Sequence, residues 1–311
     1  MADQQLSGTT GRQLKIGGDL PYFDTRVELR DYVQAFEELG FDHLGFGEHV
    51  LTARVPDWPA GISPCEPWHE AFTQAAFVAA LSTRLEIAAS VLLPLRSAAL
   101  AAKQAAEIDI FSGGRLRLSV SVGWNRAELS AFGVDPADRG ALLEEQVQVM
   151  RLLWTEPNLT YRGRFVQLPE VALNPRPDRP IPLWMGAGDF KTGGVPRAVL
   201  LDRIARVADG FKFFGPLMRE PQNGLEVVRK LRELVVAHGR PLEQFGIEAR
   251  IPLQLVDERE WLALLDFWQA AGVTHLCLSN RRGAGGADAE IERLTRFRKL
   301  LDEHSINHPM G

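Results

Sequence analysis

Strand-like and helix-like segments alternate eight times in succession along this chain, and no other feature restricts its fold as strongly. The stretch Ile108–Trp154 shows the repeating unit most clearly. A helix ends at Phe111, Gly113 and Gly114 turn the chain, and Arg115–Val122 reads as a strand. Gly123, Trp124 and Asn125 then open into a loop before a long helix that ends at Trp154. A helix-length connection between neighbouring strands requires those strands to run parallel. The other strand-like segments are Leu14–Gly18, His43–Gly47, Leu85–Val91, Ile181–Met185, Gly210–Phe214, Ile247–Val256 and Val273–Leu278. Helical spacing falls over Thr25–Leu39, Trp68–Leu81, Ala98–Phe111, Gly140–Trp154, Val195–Val207, Gly224–Ala237, Trp261–Ala271 and Ala289–Leu301. Eight βα units in order predict an α/β fold, a (β/α)8 TIM barrel, ahead of an open doubly wound sheet.

The pattern pauses once. Leu159–Leu168 alternates around Gly163 like a hairpin and runs into Asn174-Pro175-Arg176-Pro177, so residues 157–180 are expected to form a hairpin-containing insertion after the fourth helix. No repeat or linker divides the rest, and 311 residues suit a single barrel domain over 1–311, with residues 1–13 flexible. The chain is 45% apolar and carries a net charge of −5, values that support a sizeable core and argue against nucleic-acid or membrane-surface partners. Its polar start, its lack of a membrane-length apolar run and two widely spaced cysteines, Cys65 and Cys277, predict a cytoplasmic protein with free thiols and no metal site.

In such a barrel chemistry is placed where strands end. Glu48-His49 closes the second strand. An imidazole there can hydrogen-bond a ligand or act as acid or base near neutral pH, or it can simply order the loop that follows. Glu48 is read as catalytic or as orienting its neighbour, and His43, mid-strand, as a packing residue. Ser90 and Val91 end the third strand with small side chains beside them. Ser121, Gly123 and Trp124 leave the fourth, glycine permitting close backbone approach and tryptophan offering a pocket wall. Gly186, Ala187 and Gly188, followed by Lys191, Thr192 and Gly193, combine backbone amides, a hydroxyl and a lysine ahead of a helix, a set suited to a phosphate. Asn280, Arg281 and Arg282 after strand eight serve either an acidic ligand or solvent.

Several of these segments resemble the bacterial luciferase-like monooxygenase superfamily: GFDHLGFGEHV (40–50), LLPLRSAALAAKQAAEIDIFSGGRLRLSVSVGW (92–124), YRGRFVQL (161–168), NPRP…PIPLWMGAG (174–188) and RIARVADGFKF (203–213). The match covers most of residues 14–215 and is nearer to the coenzyme F420-dependent oxidoreductase branch. The resemblance implies a barrel holding F420, or alternatively FMN, at its strand exits. It implies further that Ser90 lies near the ring system on a bulge with a non-proline cis peptide, and that the protein forms a homodimer through helices such as Ala98–Ala106. F420-dependent sugar-phosphate dehydrogenases carry a glutamate where Trp124 stands, so that substrate is rejected.

The expected activity is therefore hydride transfer with F420 on a small organic substrate. A reduced-FMN monooxygenase using O2 is the alternative, with the 52–67 loop or the 157–180 insertion as its lid, and a non-catalytic flavin-binding protein is the third reading. Trp58, Trp68, Trp124 and Phe46 give the expected pocket an apolar share.

Overall fold

The computed structural model describes residues 13–21, 26–52, 67–188, 193–218, 220–279 and 286–307. In chain order the elements are β1 (Lys15–Asp19), α1 (Arg26–Glu38), β2 (His43–Phe46), α2 (Ala71–Leu81), β3 (Glu86–Leu92), α3 (Ala98–Phe111), β4 (Leu116–Ser121), α4 (Arg126–Ala131) and α5 (Arg139–Thr155). They continue as β5 (Leu159–Arg162), β6 (Gln167–Val171), β7 (Leu183–Ala187), α6 (Ala198–Val207), β8 (Gly210–Phe213), α7 (Pro221–Ala237), β9 (Gly246–Ile251), α8 (Trp261–Ala270), β10 (His275–Leu278) and α9 (Gly286–Asn307).

Eight of the strands close into a barrel in the order β1-β10-β9-β8-β7-β4-β3-β2, and β5 and β6 form a separate antiparallel pair. The fold is the (β/α)8 barrel that the alternation predicts, with the hairpin after the long helix α5. Among the differences from the sequence reading, two strand ends and two short elements have a plain physical cause. Strand seven stops at Ile251 because Pro252, which has no N–H to give a ladder, begins a turn. Pro180 and Pro182 delay β7 to Leu183. Helix α4 and a 3-10 turn at Leu93–Leu95 went unforeseen, both being shorter than two helical turns.

The chain divides into two compact units, residues 46–184 and the remainder. In the first, β3 and β4 pair without interruption from Ile87 opposite Leu116 to Leu92 opposite Ser121. Helix α3 starts where Ser97 accepts the N–H of Leu100 and ends where Gly113 (φ 69°) and Gly114 (φ 81°) take a left-handed conformation that residues with a Cβ rarely adopt. Its alanines Ala101, Ala102, Ala105 and Ala106 are buried and let α5 approach closely, with the Trp154 indole N–H donating to the Ala102 carbonyl at 2.9 Å. Glu145 of α5 accepts the N–H groups of Arg164, Phe165 and Val166 and so fixes the hairpin turn.

In the second unit β1, β10, β9 and β8 form a continuous parallel ladder. Its interior carries charge. Arg250 grips the Asp19 carboxylate with both Nη atoms, and Ser279 donates to the same group at 3.1 Å. Lys212 Nζ and His43 Nε2 each lie 3.6 Å from an oxygen of Glu248. The two acids Asp19 and Glu248 facing Arg250, Lys212 and His43 allow these groups to be buried together, since an unpaired charge would not survive in the core. His43 is therefore a core residue of this network rather than a plain packing side chain.

Candidate active site

Within residues 46–184, β2 ends in Gly47-Glu48-His49. The His49 side chain is 8% exposed, and its Nδ1 lies 2.9 Å from Oε2 of Glu128, itself 1% exposed. The other oxygen of Glu128 accepts the N–H groups of Val50 at 2.7 Å and Leu51 at 3.1 Å. Trp68 and Trp124 stand edge-on to the imidazole, with centroids at 4.7 and 5.7 Å. Glu128 is placed by α4, which begins where the Asn125 side chain accepts the N–H groups of Ala127 and Glu128. That helix is seated by Leu129, packed with Leu92, Leu95 and Val134, against which Val50 also rests.

Glu48 faces away from this arrangement. Its oxygens accept the N–H of Ala71 at 2.9 Å and of Leu92 at 2.8 Å, and the two Nη atoms of Arg96 at 2.6 and 2.7 Å. Arg96 also donates to Glu70, whose carboxylate caps α2. Burial alone would lower the Arg96 pKa, but Glu48 and Glu70 outweigh it and raise the value. Burial would likewise raise that of Glu70, and the bonds from Thr73, Arg96 and Phe72 bring it below the usual carboxylate range. With every oxygen of Glu48 occupied, its role is to position β2, α2 and β3, not to exchange a proton.

Small side chains and one indole stand at the strand exits on which a ring system is expected. Ser90 lies two residues before the end of β3, buried beside Gly47, where a Cβ added to the glycine would come 3.9 Å from the serine Cβ. Ser121 and Gly123 are half-buried, and Trp124 is 37% exposed. Val91 is different. With 0% exposure its side chain belongs to the core and cannot line an open pocket. The implied bulge and cis peptide are also absent from β3: the β3–β4 ladder runs through Ser90 and Val91 in unbroken register, and among the described residues the cis bond is Asn174–Pro175.

In the other unit, Gly186 and Gly188 have a packing reason for being glycine. A Cβ on Gly186 would sit 2.2 Å from Phe214 Cε2, and one on Gly188 would sit 2.2 Å from the Phe214 carbonyl oxygen. Ala187 is buried, and Gly193 turns with φ 62°. Lys191 and Thr192 lie outside the described residues, as do Trp58, Cys65, Asn280, Arg281, Arg282 and most of the 52–67 loop. The sequence reading also missed a grouping drawn from three strands: ligand-type atoms of His43, Glu248 and Cys277 fall within 4.8 Å of one another. Lys212 and Arg250, 3.6 and 3.7 Å from Glu248, already supply positive charge there, so the grouping is the hub of an ion network.

Glu128 and Glu70 escaped the sequence reading. Asn125 followed three residues later by Glu128 is a capping-box signature, whose usual meaning is a glutamate folded back onto its own helix. Here the carboxylate reaches instead to His49, 79 residues away in sequence.

A closed parallel barrel with a carboxylate-held histidine and two indoles at a strand exit is a candidate site for proton-handling chemistry in an α/β barrel enzyme. Comparison with known proteins agrees. The sequence profile of the family described as luciferase-like monooxygenase matches residues 5–305. Pyrimidine monooxygenase RutA of Variovorax paradoxus is 28% identical over 250 residues, which span 78% of this chain and 64% of that enzyme's own length. F420-dependent glucose-6-phosphate dehydrogenase of Amycolatopsis mediterranei is 29% identical over 189 residues, covering 59% of this chain and 52% of that one. Among solved structures, the monooxygenase RslO1 from Streptomyces bottropensis superposes with a TM-score of 0.72 at 17% identity, covering 94% of this chain and 99% of that one. The chain belongs to the luciferase-like monooxygenase family, whose members include F420-dependent and FMN-dependent oxidoreductases. Among the described residues no helix is long and apolar enough to cross a membrane.

Proposed function

We propose that this enzyme transfers hydride between a small organic substrate and coenzyme F420, with His49 taking the proton that the substrate releases. The observation that carries this reading is the 2.9 Å contact between His49 Nδ1 and the buried Glu128 carboxylate. An imidazole engaged on Nδ1 by a carboxylate receives a proton at Nε2, and the carboxylate stabilises the resulting cation. The bound deazaflavin would supply the two-electron acceptor on which this proton transfer depends.

The residues at the strand exits suit a flat ring system. Ser90, Ser121 and Gly123 keep side-chain bulk low, Gly123 with φ 74° where a Cβ would be strained. Trp124 offers an aromatic face, and Leu51 and Phe132 add exposed apolar surface on the same unit, consistent with an organic substrate of moderate size. Trp124 in place of an acidic side chain leaves His49 as the proton-handling group at this exit. Gly186, Ala187, Gly188 and Gly193, with Lys191 and Thr192, remain the proposed phosphate-binding segment.

A second reading, a monooxygenase using reduced FMN and O2, is favoured by the 28% identity to the pyrimidine monooxygenase. Titrating purified apo protein with F420, FMN and their reduced forms separates the two. Micromolar binding of F420 without comparable FMN binding supports hydride transfer. Preference for reduced FMN overturns it in favour of the monooxygenase, and binding of neither removes the cofactor assignment.

A further inference from the structure

We infer that Glu128 is the positioning residue that fixes His49 in its Nδ1–H tautomer. The consequence for catalysis rests on the reading of His49 as the proton acceptor, but the inference itself concerns only the resting protein. An ionised carboxylate accepts hydrogen bonds and donates none. The proton between Oε2 and Nδ1, 2.9 Å apart, therefore resides on the imidazole, and in the neutral ring the lone pair is on Nε2. The other oxygen is committed as well, because the N–H groups of Val50 and Leu51 point at it. Three donors converge on one buried carboxylate, and all three come from the segment that begins with His49.

Two further features fix the ring itself. Trp68 and Trp124 meet it at interplanar angles of 88° and 85°, so rotation of the imidazole would drive its edge into an indole. Glu128 is held in turn, since Asn125 caps the helix on which it sits and Leu129 seats that helix in an apolar cluster. The capping-box geometry would have used the carboxylate within α4. Its use across 79 residues instead is what gives it a role in the site.

The variant Glu128→Gln makes the inference sharp. A glutamine of the same size keeps its carbonyl oxygen on the Val50 and Leu51 N–H groups, because the reverse orientation would face N–H against N–H. Its NH2 group then points at His49 Nδ1 and donates to it. Nδ1 must become the acceptor, and the proton moves to Nε2, which inverts the tautomer. Glu128→Asp keeps the charge and with it the Nδ1–H form.

The test is nitrogen-15 NMR of protein labelled at histidine, recorded where the rings are neutral. Seven histidines contribute signals, and His49 is assigned as the one missing from His49→Gln. The wild type and Glu128→Asp are expected in the Nδ1–H form and Glu128→Gln in the Nε2–H form. A wild-type His49 in the Nε2–H form overturns the inference, as does retention of the Nδ1–H form in folded Glu128→Gln. A merely structural glutamate would change the melting temperature and leave the tautomer where it was. The readout needs neither cofactor nor substrate, so failure of the F420 reading leaves it intact. With a working donor, Glu128→Gln should lower kcat by about 10²–10⁴-fold at little-changed KM, as expected when a catalytic imidazole is held in the wrong tautomer.

Discussion

Arg96 and Glu48 meet as a fork on a fork: Nη1 lies 2.6 Å from Oε1 and Nη2 lies 2.7 Å from Oε2. The guanidinium comes from the turn after β3 and the carboxylate from the residue before His49. The pair therefore sets where the chain leaves β2, and with it where the imidazole starts. Because Glu48 also accepts the first N–H of α2 and the last of β3, one carboxylate ties three elements to that point.

Replacing Arg96 with Met should accordingly destabilise the protein by about 3–5 kcal/mol, the usual cost of leaving a buried charge without its partner. Urea unfolding at pH 7 measures it. Changing both residues to Met should recover little of the loss, because the buried N–H groups of Ala71 and Leu92 then have no acceptor, at about 1–3 kcal/mol each. A single-variant cost under about 1 kcal/mol would mean the pair behaves as a solvated surface bridge.

His49→Ala removes an imidazole held by Glu128 but leaves the Arg96–Glu48 fork and the serine and glycine exits in place. If His49 handles the proton, kcat should fall by about 10²–10⁴-fold while the cofactor Kd changes little. Equal losses in turnover and cofactor binding would make the side chain a binding group only.

These predictions rest on residues that were unequally visible in the sequence. The barrel could be read because each βα unit carries its own periodicity, and His49 because it closes a strand. Glu128 and Glu70 could not be assigned because their partners are distant in sequence, and a carboxylate at the start of a helix already has a local meaning. The small residues of 186–188 were legible only in part for a related reason. Glycine signals close approach but not what approaches, and at Gly186 it is the chain's own Phe214. Val91 could not be separated from Ser90 because strand alternation assigns faces only once the register is known.

Gly186→Ala tests that point. The new methyl would fall 2.2 Å from Phe214 Cε2, so the ring must move, at about 1–3 kcal/mol for overpacking. Phe214→Leu in the same chain should return most of the loss. Reduced cofactor affinity at unchanged stability would instead identify this glycine as part of the phosphate-binding segment.

Cys277 should be silent toward thiol reagents and should give the protein an alkaline weakness. The side chain is fully buried beside Arg250, Asp19, Glu248 and Lys212. Burial pushes its pKa well above the ordinary thiol value of 9.0, against the pull of the Arg250 guanidinium. The same burial lowers that of Lys212 below its ordinary value in spite of the neighbouring Glu248. For the thiol the native state keeps its proton longer than the unfolded chain does. Its contribution to stability is therefore whole below pH 9.0 and is lost as pH rises toward the native value, by at most about 1.4 kcal/mol per pH unit for one proton. In a Cys65→Ser background Cys277 is the sole thiol, and a thiol reagent should find none in the native protein and one after denaturation. Unfolding free energies measured from pH 8 to pH 10.5 should fall more steeply in that protein than in its Cys277→Ala derivative. Parallel slopes, or rapid labelling of the folded chain, would show that the thiol reaches solvent and that the ion network around it is looser than its packing.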